Sequence, residues 1–165
     1  MRREEVILVN KSGRRTGVAE KMEAHRKGLL HRAFSIFLFN EKGEMLLQKR
    51  AKSKYHFAGL WSNACCSHPR PGEKTLSAAK RRLREELGIE CPMKNSGQVV
   101  YKAFDKKSGL TEHEFDYIEI GNYSKEIPFN PKEVEQVKWV SINELKKLLK
   151  SPEKFTPWLI QILNN

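Results

Sequence analysis

Apolar runs separated by turn residues predict three β-strands in the first fifty positions of the chain. Residues 4–9 and 31–40 form two such runs, and a turn at residues 41–44, which contains Gly43, leads into a third run at residues 45–50. This order is typical of a hairpin, because glycine tolerates the backbone of a tight turn. The chain is therefore expected to open as a β-meander.

A change of apolar spacing predicts a helix in the middle of the chain. From residue 74 to residue 87, apolar side chains recur every three or four positions, at Leu76, Ala79, Leu83 and Leu87. This spacing places them on one face of a helix, and Gly88 is positioned to end it. We therefore expect one amphipathic helix that packs by this face.

The second half of the chain returns to strand patterns and then to helices. Further strands are expected at residues 98–104, 112–120 and 134–140, joined by turn-rich segments at 105–109 and 128–131. Ser141 and Glu144 form a capping-box pattern for a helix through Lys150, and Thr156-Pro157 begins a last helix that runs to the C-terminus. This order of elements predicts a mixed β-sheet with helices on its faces.

Length and composition predict one compact domain over residues 1–165. With 39% hydrophobic residues, a chain of 165 residues buries a core without disulfides or metal staples. The apolar run at 34–39 is far shorter than the ~20 residues of a membrane span. Met1 to Glu5 precede only four apolar residues, fewer than the roughly seven to fifteen of a secretory signal. We therefore expect a cytoplasmic protein, whose three cysteines are free thiols.

The formal charge of +11 predicts attraction to phosphorylated partners, either nucleic acid or small diphosphates. The basic residues are spread along the whole chain, however, and most of them are equally well explained as a solvated surface. A module that binds nucleic acid would show aromatic residues interleaved with Lys and Arg on one surface. The sequence shows no such stripe.

Two thiols and an imidazole lie close together between Trp61 and Pro69, in a segment typical of a strand that enters a loop. If this segment is extended, Cys66 and His68 point to one side and Cys65 to the other. Cys66 is therefore the better catalytic candidate. The alternative is that both cysteines are small buried apolar residues, as free cysteines often are.

A second candidate cluster is Glu112-His113-Glu114, where alternation along a strand directs both carboxylates to one face. Paired carboxylates repel each other unless a cation, a shared proton or open water lies between them. His25 and His31 could join His68 there, giving a nitrogen and oxygen ligand set suited to Mn, Zn or Mg. The alternatives are a solvated strand edge for the carboxylates and ordinary core or surface positions for the histidines.

The segment from Ser67 to Ile89 resembles the Nudix box. The matching residues are Gly72-Glu73, Arg81, Leu83, Glu85-Glu86 and Gly88-Ile89. Two positions depart from the box: Ser67 replaces its opening glycine, and Arg82 replaces the first glutamate of the metal-binding cluster of Nudix hydrolases. The second departure argues against pyrophosphate hydrolysis and leaves a Nudix hydrolase as the alternative reading.

These departures, with Cys66 and His68 just before the box, resemble the type 1 isopentenyl-diphosphate isomerases. The resemblance extends over nearly the whole chain, through residues 17–21 with His25, 31–39, 50–54, 59–63, 112–114 with 116–117, and 157–158. It implies a mixed α/β fold, in which a Nudix-like mixed β-sheet is flanked by helices. It also implies isomerisation of a five-carbon diphosphate in isoprenoid biosynthesis.

The resemblance implies a role for each site residue. Cys66 would act on one face of the substrate and Glu114, assisted by Tyr101, on the other, while Trp158 would stabilise a tertiary carbocation by its π-face. The implied ligands of one metal ion, Mn2+, Zn2+ or Mg2+, are His25, His31, His68, Glu112 and Glu114. The implied diphosphate contacts are Lys21, Arg50, Lys54 and Arg82, and Glu86 would hold a second Mg2+ against the diphosphate.

The implied partner is a small-molecule diphosphate, without nucleic acid or membrane, and the chain would act as a monomer or a weak homodimer.

Overall fold

Strand β3 occupies the centre of the structure, a computed structural model that describes residues 3–165; Met1 and Arg2, which belong to the N-terminal segment discussed above, lie outside it. The strands of this range are β1 (Glu5–Val9), β2 (Arg15–Glu20), β3 (His31–Phe39), β4 (Met45–Arg50), β5 (Trp61–Ser62), β6 (Cys65–Ser67), β7 (Met93–Asp105), β8 (Leu110–Asn122) and β9 (Val134–Val140). The helices are α1 (Lys21–Lys27), α2 (Thr75–Leu87), α3 (Ile142–Leu148) and α4 (Pro157–Leu163), with a short 3₁₀ helix at Pro152–Lys154.

The strands form one mixed sheet that forks beside β3. Strand β3 pairs antiparallel with β1, β4 and β6 and parallel with β8, while β4 also pairs with β5 and β9. The hairpin strands β3 and β4 pair only at Phe39 and Met45, next to their turn, so the sheet divides from that point. The predicted mixed sheet with flanking helices is confirmed.

The interior side of α2 is formed by Ala78, Ala79, Leu83 and Leu87, which are fully buried with β3 and β6 residues in one core cluster. Truncating a buried leucine such as Leu83 to alanine costs about 2–5 kcal/mol. The prediction for Leu76 was wrong: this residue is 38% exposed and lies in the first turn of the helix. Gly88 ends the helix at φ 66°, where a Cβ would lie 2.9 Å from the Pro128 carbonyl oxygen.

The sequence prediction lacked the 3₁₀ helix at Pro152–Lys154 and two elements of the N-terminal region, β2 and α1. Strand β2 has no buried residue, so it lacks an apolar alternation. Helix α1 has seven residues, of which only Ala24 and His25 are buried, and the Glu20 side chain caps it by accepting from two backbone N–H groups. Its ends are defined by local hydrogen bonds rather than by an apolar stripe.

Other element boundaries differ modestly from the prediction. Strands β7 and β8 are each longer than predicted, because the ladder between them extends from the pair Met93 and Gly121 at one end to Asp105 and Leu110 at the turn. Helix α3 has the predicted capping box between Ser141 and Glu144 but ends at Leu148, two residues early. Across residues 3–165, every helix is too short or too polar to traverse a bilayer.

Candidate active site and metal centre

The buried face of β8 carries three carboxyl groups in alternate positions. Glu112, Glu114 and Asp116 are each at most 4% exposed. His113 points to the opposite face, where its Nδ1 lies 2.9 Å from the Gly28 carbonyl oxygen. The two-residue period of a strand therefore separates the imidazole from the carboxylates, as the sequence predicted for this segment.

Neighbouring strands bring further polar groups against this face. The parallel register places His31 of β3 opposite Glu114, and the antiparallel register places Tyr101 of β7 opposite the same residue. His68 follows β6, which pairs with β3, and His25 lies on α1, which packs on β8. One ligand atom from each of these groups lies within 4.8 Å of all the others: His25, His31, His68, Glu112 and Glu114.

Backbone hydrogen bonds fix the orientation of two of the three imidazoles, those of His25 and His31. The Nδ1 atoms of His25 and His31 lie 2.6 Å and 2.8 Å from the backbone carbonyl oxygens of Lys21 and Leu29. A carbonyl only accepts, so each Nδ1 carries a proton and each Nε2 turns toward the cluster. The His31 Nε2 lies 3.1 Å from the His68 Nε2, and burial lowers the pKa of His31 to about 4, which keeps this ring neutral.

The two carboxylates differ in charge. Burial raises the pKa of Glu114, and the neighbouring charge of Glu112 raises it further. Burial also opposes the charge of Glu112, but hydrogen bonds with Glu114, His25 and His56 outweigh it and lower that pKa. The repulsion between the two carboxyl groups would be relieved by a cation or by one proton held between them.

The donor set fits a divalent cation. Nitrogen and carboxylate oxygen atoms converge from four separate elements, and Oε2 of Glu112 is buried without a hydrogen-bond partner among the described residues. A buried carboxylate oxygen without a partner is costly unless a cation neutralises it. Ligands of this type suit Mn, Zn or Mg better than metals that prefer sulfur.

Cys66 lies beside this cluster, on the opposite side of β6 from Cys65. Its Sγ donates to Oδ1 of Asn63 at 3.0 Å and lies 3.4 Å from Oγ of Ser35, which in turn donates to Asp116 at 2.6 Å. Burial, with the Asp116 carboxylate, raises the pKa of the Cys66 thiol to about 12, so this thiol is protonated. Cys65 is fully buried in the core under α2.

Aromatic residues enclose the space next to Cys66. Trp158 is 2% exposed, and its indole N–H donates to Oγ of Ser62 at 3.0 Å. Its ring stacks near Tyr101 with centroids 6.3 Å apart, and the Tyr101 hydroxyl donates to Oε2 of Glu114. Cys66, Glu114, Tyr101 and Trp158 therefore line one pocket, together with other residues of the site.

A wider basic cleft opens from this pocket, and three of its cations are already paired. Lys21 binds Glu4 at 2.7 Å, Lys54 binds Glu133 at 2.5 Å, and Arg82 binds Glu86 at 2.6 Å. All three cations line both the inner pocket and the cleft.

Arg50 differs from these cations. It is 7% exposed and lines only the inner pocket, with its guanidinium 5.3 Å from the Trp158 ring centroid. It makes no ion pair with a carboxylate in the described part of the chain, and its Nε has no hydrogen-bond partner there. A buried cation without a counter-ion favours binding of an anion.

Glu86 does not line the pocket or the cleft. Its side chain is buried, with one oxygen bound to Arg82 at 2.6 Å and the other accepting from Gln48 at 3.1 Å. Glu85, the preceding residue, lines the cleft instead. Binding of a cation by Glu86 therefore requires exchange of its contact with Arg82.

The structure adds polar residues to which the sequence assigned no role. His56 contacts Glu112, while Asn63, Ser35 and Asp116 surround the Cys66 thiol. His56 lies in the irregular segment between β4 and β5, where no periodicity predicts the direction of a side chain. Asp116 had a detectable signal, because it continues the alternation of Glu112 and Glu114.

Known proteins match the chain over most of its length. The NUDIX domain family matches residues 29–159. Isopentenyl-diphosphate Delta-isomerase 2 of Aromatoleum aromaticum is 47% identical over 162 residues, which cover 98% of this chain and 85% of that protein. The protein of the same name from Photorhabdus laumondii is 47% identical over 160 residues, covering 96% and 90%.

Solved structures share the fold at lower identity. The DR0079 protein of Deinococcus radiodurans superposes with a TM-score of 0.78 at 19% identity, covering 98% of both chains. A MutT protein of Methanosarcina mazei gives 0.63 at 24% identity, covering 77% of this chain and 85% of that one. Together with the full-length relatives, these matches show that the chain belongs to the NUDIX family and, within it, to the isopentenyl-diphosphate Delta-isomerases.

Proposed function

We propose that the chain interconverts isopentenyl diphosphate and dimethylallyl diphosphate by moving one double bond. The observation that carries this proposal is that Cys66 and Glu114, two groups able to transfer protons, line the same buried pocket beside Trp158. The relatives that match nearly the full chain carry the corresponding name. Arg82 at the position of a hydrolase glutamate supports isomerisation over hydrolysis.

In this mechanism, one group adds a proton to the alkene and a second group removes a proton two carbons away. Cys66 and Glu114 take these two roles, and the direction of the reaction decides which is the acid. The Tyr101 hydroxyl, hydrogen-bonded to Glu114, orients that carboxyl group. The intermediate is a tertiary carbocation, which the π-face of Trp158 stabilises by about 2 kcal/mol when desolvated.

The surrounding residues exclude water and fix the reacting groups. Trp158, Tyr101 and Phe57 form a buried cluster with Cys66 against it, which limits capture of the carbocation by water. Asn63 holds the thiol in place, because its amide nitrogen donates to the Ile36 and Cys65 carbonyls and leaves its oxygen facing Cys66.

We assign a divalent cation, Mn2+, Zn2+ or Mg2+, to the cluster of His25, His31, His68, Glu112 and Glu114. When bound there, the cation supplies positive charge that sets how readily Glu114 carries a proton. Lys21, Arg50, Lys54 and Arg82 bind the diphosphate, and Glu86 would hold a Mg2+ that accompanies it if its pairing with Arg82 were released. Arg50 is the deepest of these contacts, since its charge is buried and unpaired.

The decisive experiment incubates the purified protein with isopentenyl diphosphate and Mg2+ and follows both carbon and phosphate. We expect dimethylallyl diphosphate to form by NMR or chromatography, with no release of phosphate. Steady phosphate release without isomer would contradict the proposal and support a hydrolase. A chain boiled before the assay provides the background rate.

A further inference from the structure

His56 lies between the proposed metal cluster and the proposed diphosphate contact. Its side chain is 4% exposed and enters the site from the segment between β4 and β5. Its Nε2 contacts Oε1 of Glu112, and its Nδ1 lies 3.3 Å from a terminal nitrogen of Arg50. One imidazole therefore touches both a carboxylate of the cluster and the buried guanidinium.

The chemistry of these neighbours fixes the tautomer of His56. A guanidinium only donates, so Nδ1 of His56 accepts and bears no proton. Its proton is then on Nε2, which donates to the acceptor Glu112. This is the reverse of His25 and His31, whose Nδ1 atoms donate to carbonyls and whose Nε2 atoms face the cluster. His56 therefore holds a ligand rather than acting as one.

Both polar groups of the peptide bond between His56 and Phe57 are hydrogen-bonded. The Arg50 guanidinium donates to the His56 carbonyl oxygen at 3.1 Å, and the Phe57 N–H donates to Oδ2 of Asp105 at 3.0 Å. Phe57 adopts φ 48°, the only non-glycine residue with positive φ in the described chain. A bulky residue in this conformation is strained, and such strain persists where the surrounding structure enforces it.

We propose that His56 is a positioning residue that orients Glu112 for the metal ion and Arg50 for the diphosphate. This inference rests on the proposed function, since it needs a metal at the cluster and an anion at Arg50. A hydrogen bond of this kind fixes the orientation of a metal ligand, and the donated N–H also favours the ionised form of Glu112. His56 also aligns the guanidinium by accepting two of its five N–H donors, one at the ring and one at the backbone carbonyl, which leaves three for phosphate oxygens.

Three substitutions separate the two contacts of His56. His56→Gln keeps an N–H donor near Nε2 for Glu112, whereas His56→Asn keeps an acceptor near Nδ1 for Arg50. His56→Phe keeps a ring that stacks on Tyr55, as His56 does with centroids 4.1 Å apart, but removes both hydrogen bonds. His113→Gln is the matched control, because His113 lies next to Glu112 on the face away from the site.

The first measurement is Mn2+ affinity without substrate, by electron paramagnetic resonance titration of the folded variants. We expect the Phe and Asn variants to bind Mn2+ about 10- to 100-fold more weakly than wild type. The Gln variant and the His113→Gln control should stay within about threefold of wild type. Circular dichroism and melting temperature establish which variants are folded. If the Phe variant is unfolded, comparison of the Gln and Asn variants tests the inference.

The second measurement is the affinity of the Mn2+-saturated protein for inorganic pyrophosphate, by calorimetry. Here the order should change, with the Gln and Phe variants weakened about fivefold and the Asn variant close to wild type. A purely structural role would move both affinities together in every variant.

Two outcomes overturn the inference separately from the function. Folded Phe and Asn variants with wild-type Mn2+ affinity, or Gln and Asn variants with identical losses in both titrations, would remove the positioning role of His56 alone. A wild-type protein that binds no Mn2+ would overturn the metal site together with it. Isomerase activity is measured separately, so failure of the proposed reaction is recognised independently.

Discussion

The inner pocket and the basic cleft at its mouth differ in how far their charged groups are paired. In the pocket, polar groups are left incomplete: Arg50 lacks a counter-ion, Oε2 of Glu112 lacks a partner, and imidazoles face carboxylates. At the boundary, Lys21, Lys54 and Arg82 line both the pocket and the cleft, and each is paired with a glutamate. The unpaired groups of the pocket would therefore gain partners when a ligand or cation binds, whereas the paired cations must first leave their glutamates.

This difference suggests separate roles in the proposed function, with the reaction in the pocket and binding of the substrate by the paired cations. Buried groups that are held in place before the ligand binds require no reorganisation, which favours catalysis and metal binding. Lys21 and Lys54 gain little net energy when they leave one partner for another, since ion pairs with solvent access contribute about 0–1 kcal/mol. Substitutions in the pocket are therefore expected to have much larger effects than substitutions in the cleft.

The largest effect is expected at the thiol that faces the pocket. Cys66→Ala should lower turnover about 10²- to 10⁴-fold, because it removes one of the two groups that transfer protons. Cys65→Ala, which changes the neighbouring side chain in the core, should leave turnover near wild type. The measurement is kcat for isopentenyl diphosphate in each variant, and equal losses at both positions would indicate a structural role for the pair.

The metal cluster provides the next effect. His68→Ala should weaken binding of the divalent cation by about 100-fold and lower activity in parallel, because it removes a nitrogen donor from the cluster. His113→Ala serves as the control on the outer face of β8 and should retain its metal. Metal content after dialysis, measured by mass spectrometry, checks this; full metal occupancy in His68→Ala would exclude the site.

The two kinds of cation should differ in kinetics. Arg50→Ala should raise KM about 10- to 100-fold, because a buried charged hydrogen bond is lost, while Lys54→Ala should raise it only a few-fold. The Lys54 effect should also diminish at high salt, since the cleft is open to screening. KM measured at low and high ionic strength tests this, and equal, salt-sensitive losses at both positions would remove the distinction.

The smallest effect is expected for the ion pair between Arg81 and Glu73, which no ligand is expected to displace. The hydrogen bond from Arg81 holds the pKa of Glu73 below its usual value of 4.5. A lowered carboxyl pKa stabilises the folded state above the unfolded pKa, and that contribution is lost as pH falls through the native pKa.

Glu73→Gln should therefore lower the free energy of unfolding at pH 7 by less than about 1 kcal/mol, with the difference from wild type vanishing near pH 2. Urea unfolding of both proteins across this range provides the measurement. A difference that persists unchanged in acid would show that the pair contributes through packing rather than charge.

The parts of the fold that the sequence predicted are those with a local signal. Strand β9 has the predicted limits, and helix α2 buries Leu83 and Leu87 as its spacing indicated. The alternation of Glu112, His113 and Glu114 also placed both carboxylates on one face, because successive side chains of a strand point to opposite faces. In each case, a few neighbouring residues contain the whole pattern.

Other features depend on contacts between distant residues and gave no local pattern. His25 reaches the cluster because α1, a helix without an apolar stripe, packs on β8. His56 is directed inward by Arg50 and Asp105, the latter distant in sequence. The pairing of Arg82 with Glu86 is local, since the two residues are four positions apart on α2, but the sequence does not show that it competes with the ligand contacts expected of both.

The parallel ladder between β3 and β8 joins residues that are distant in sequence, so we expect the site to form late in folding. Its partners, such as His31 and Glu114, are 83 positions apart in sequence (114 minus 31), so the loop that joins them must close before the cluster exists. A shift of one residue in this register would turn His113 inward and both glutamates outward. A metal ion at the proposed cluster would bind only the native register and would therefore stabilise the native chain over misregistered forms, by an amount that grows with its free concentration.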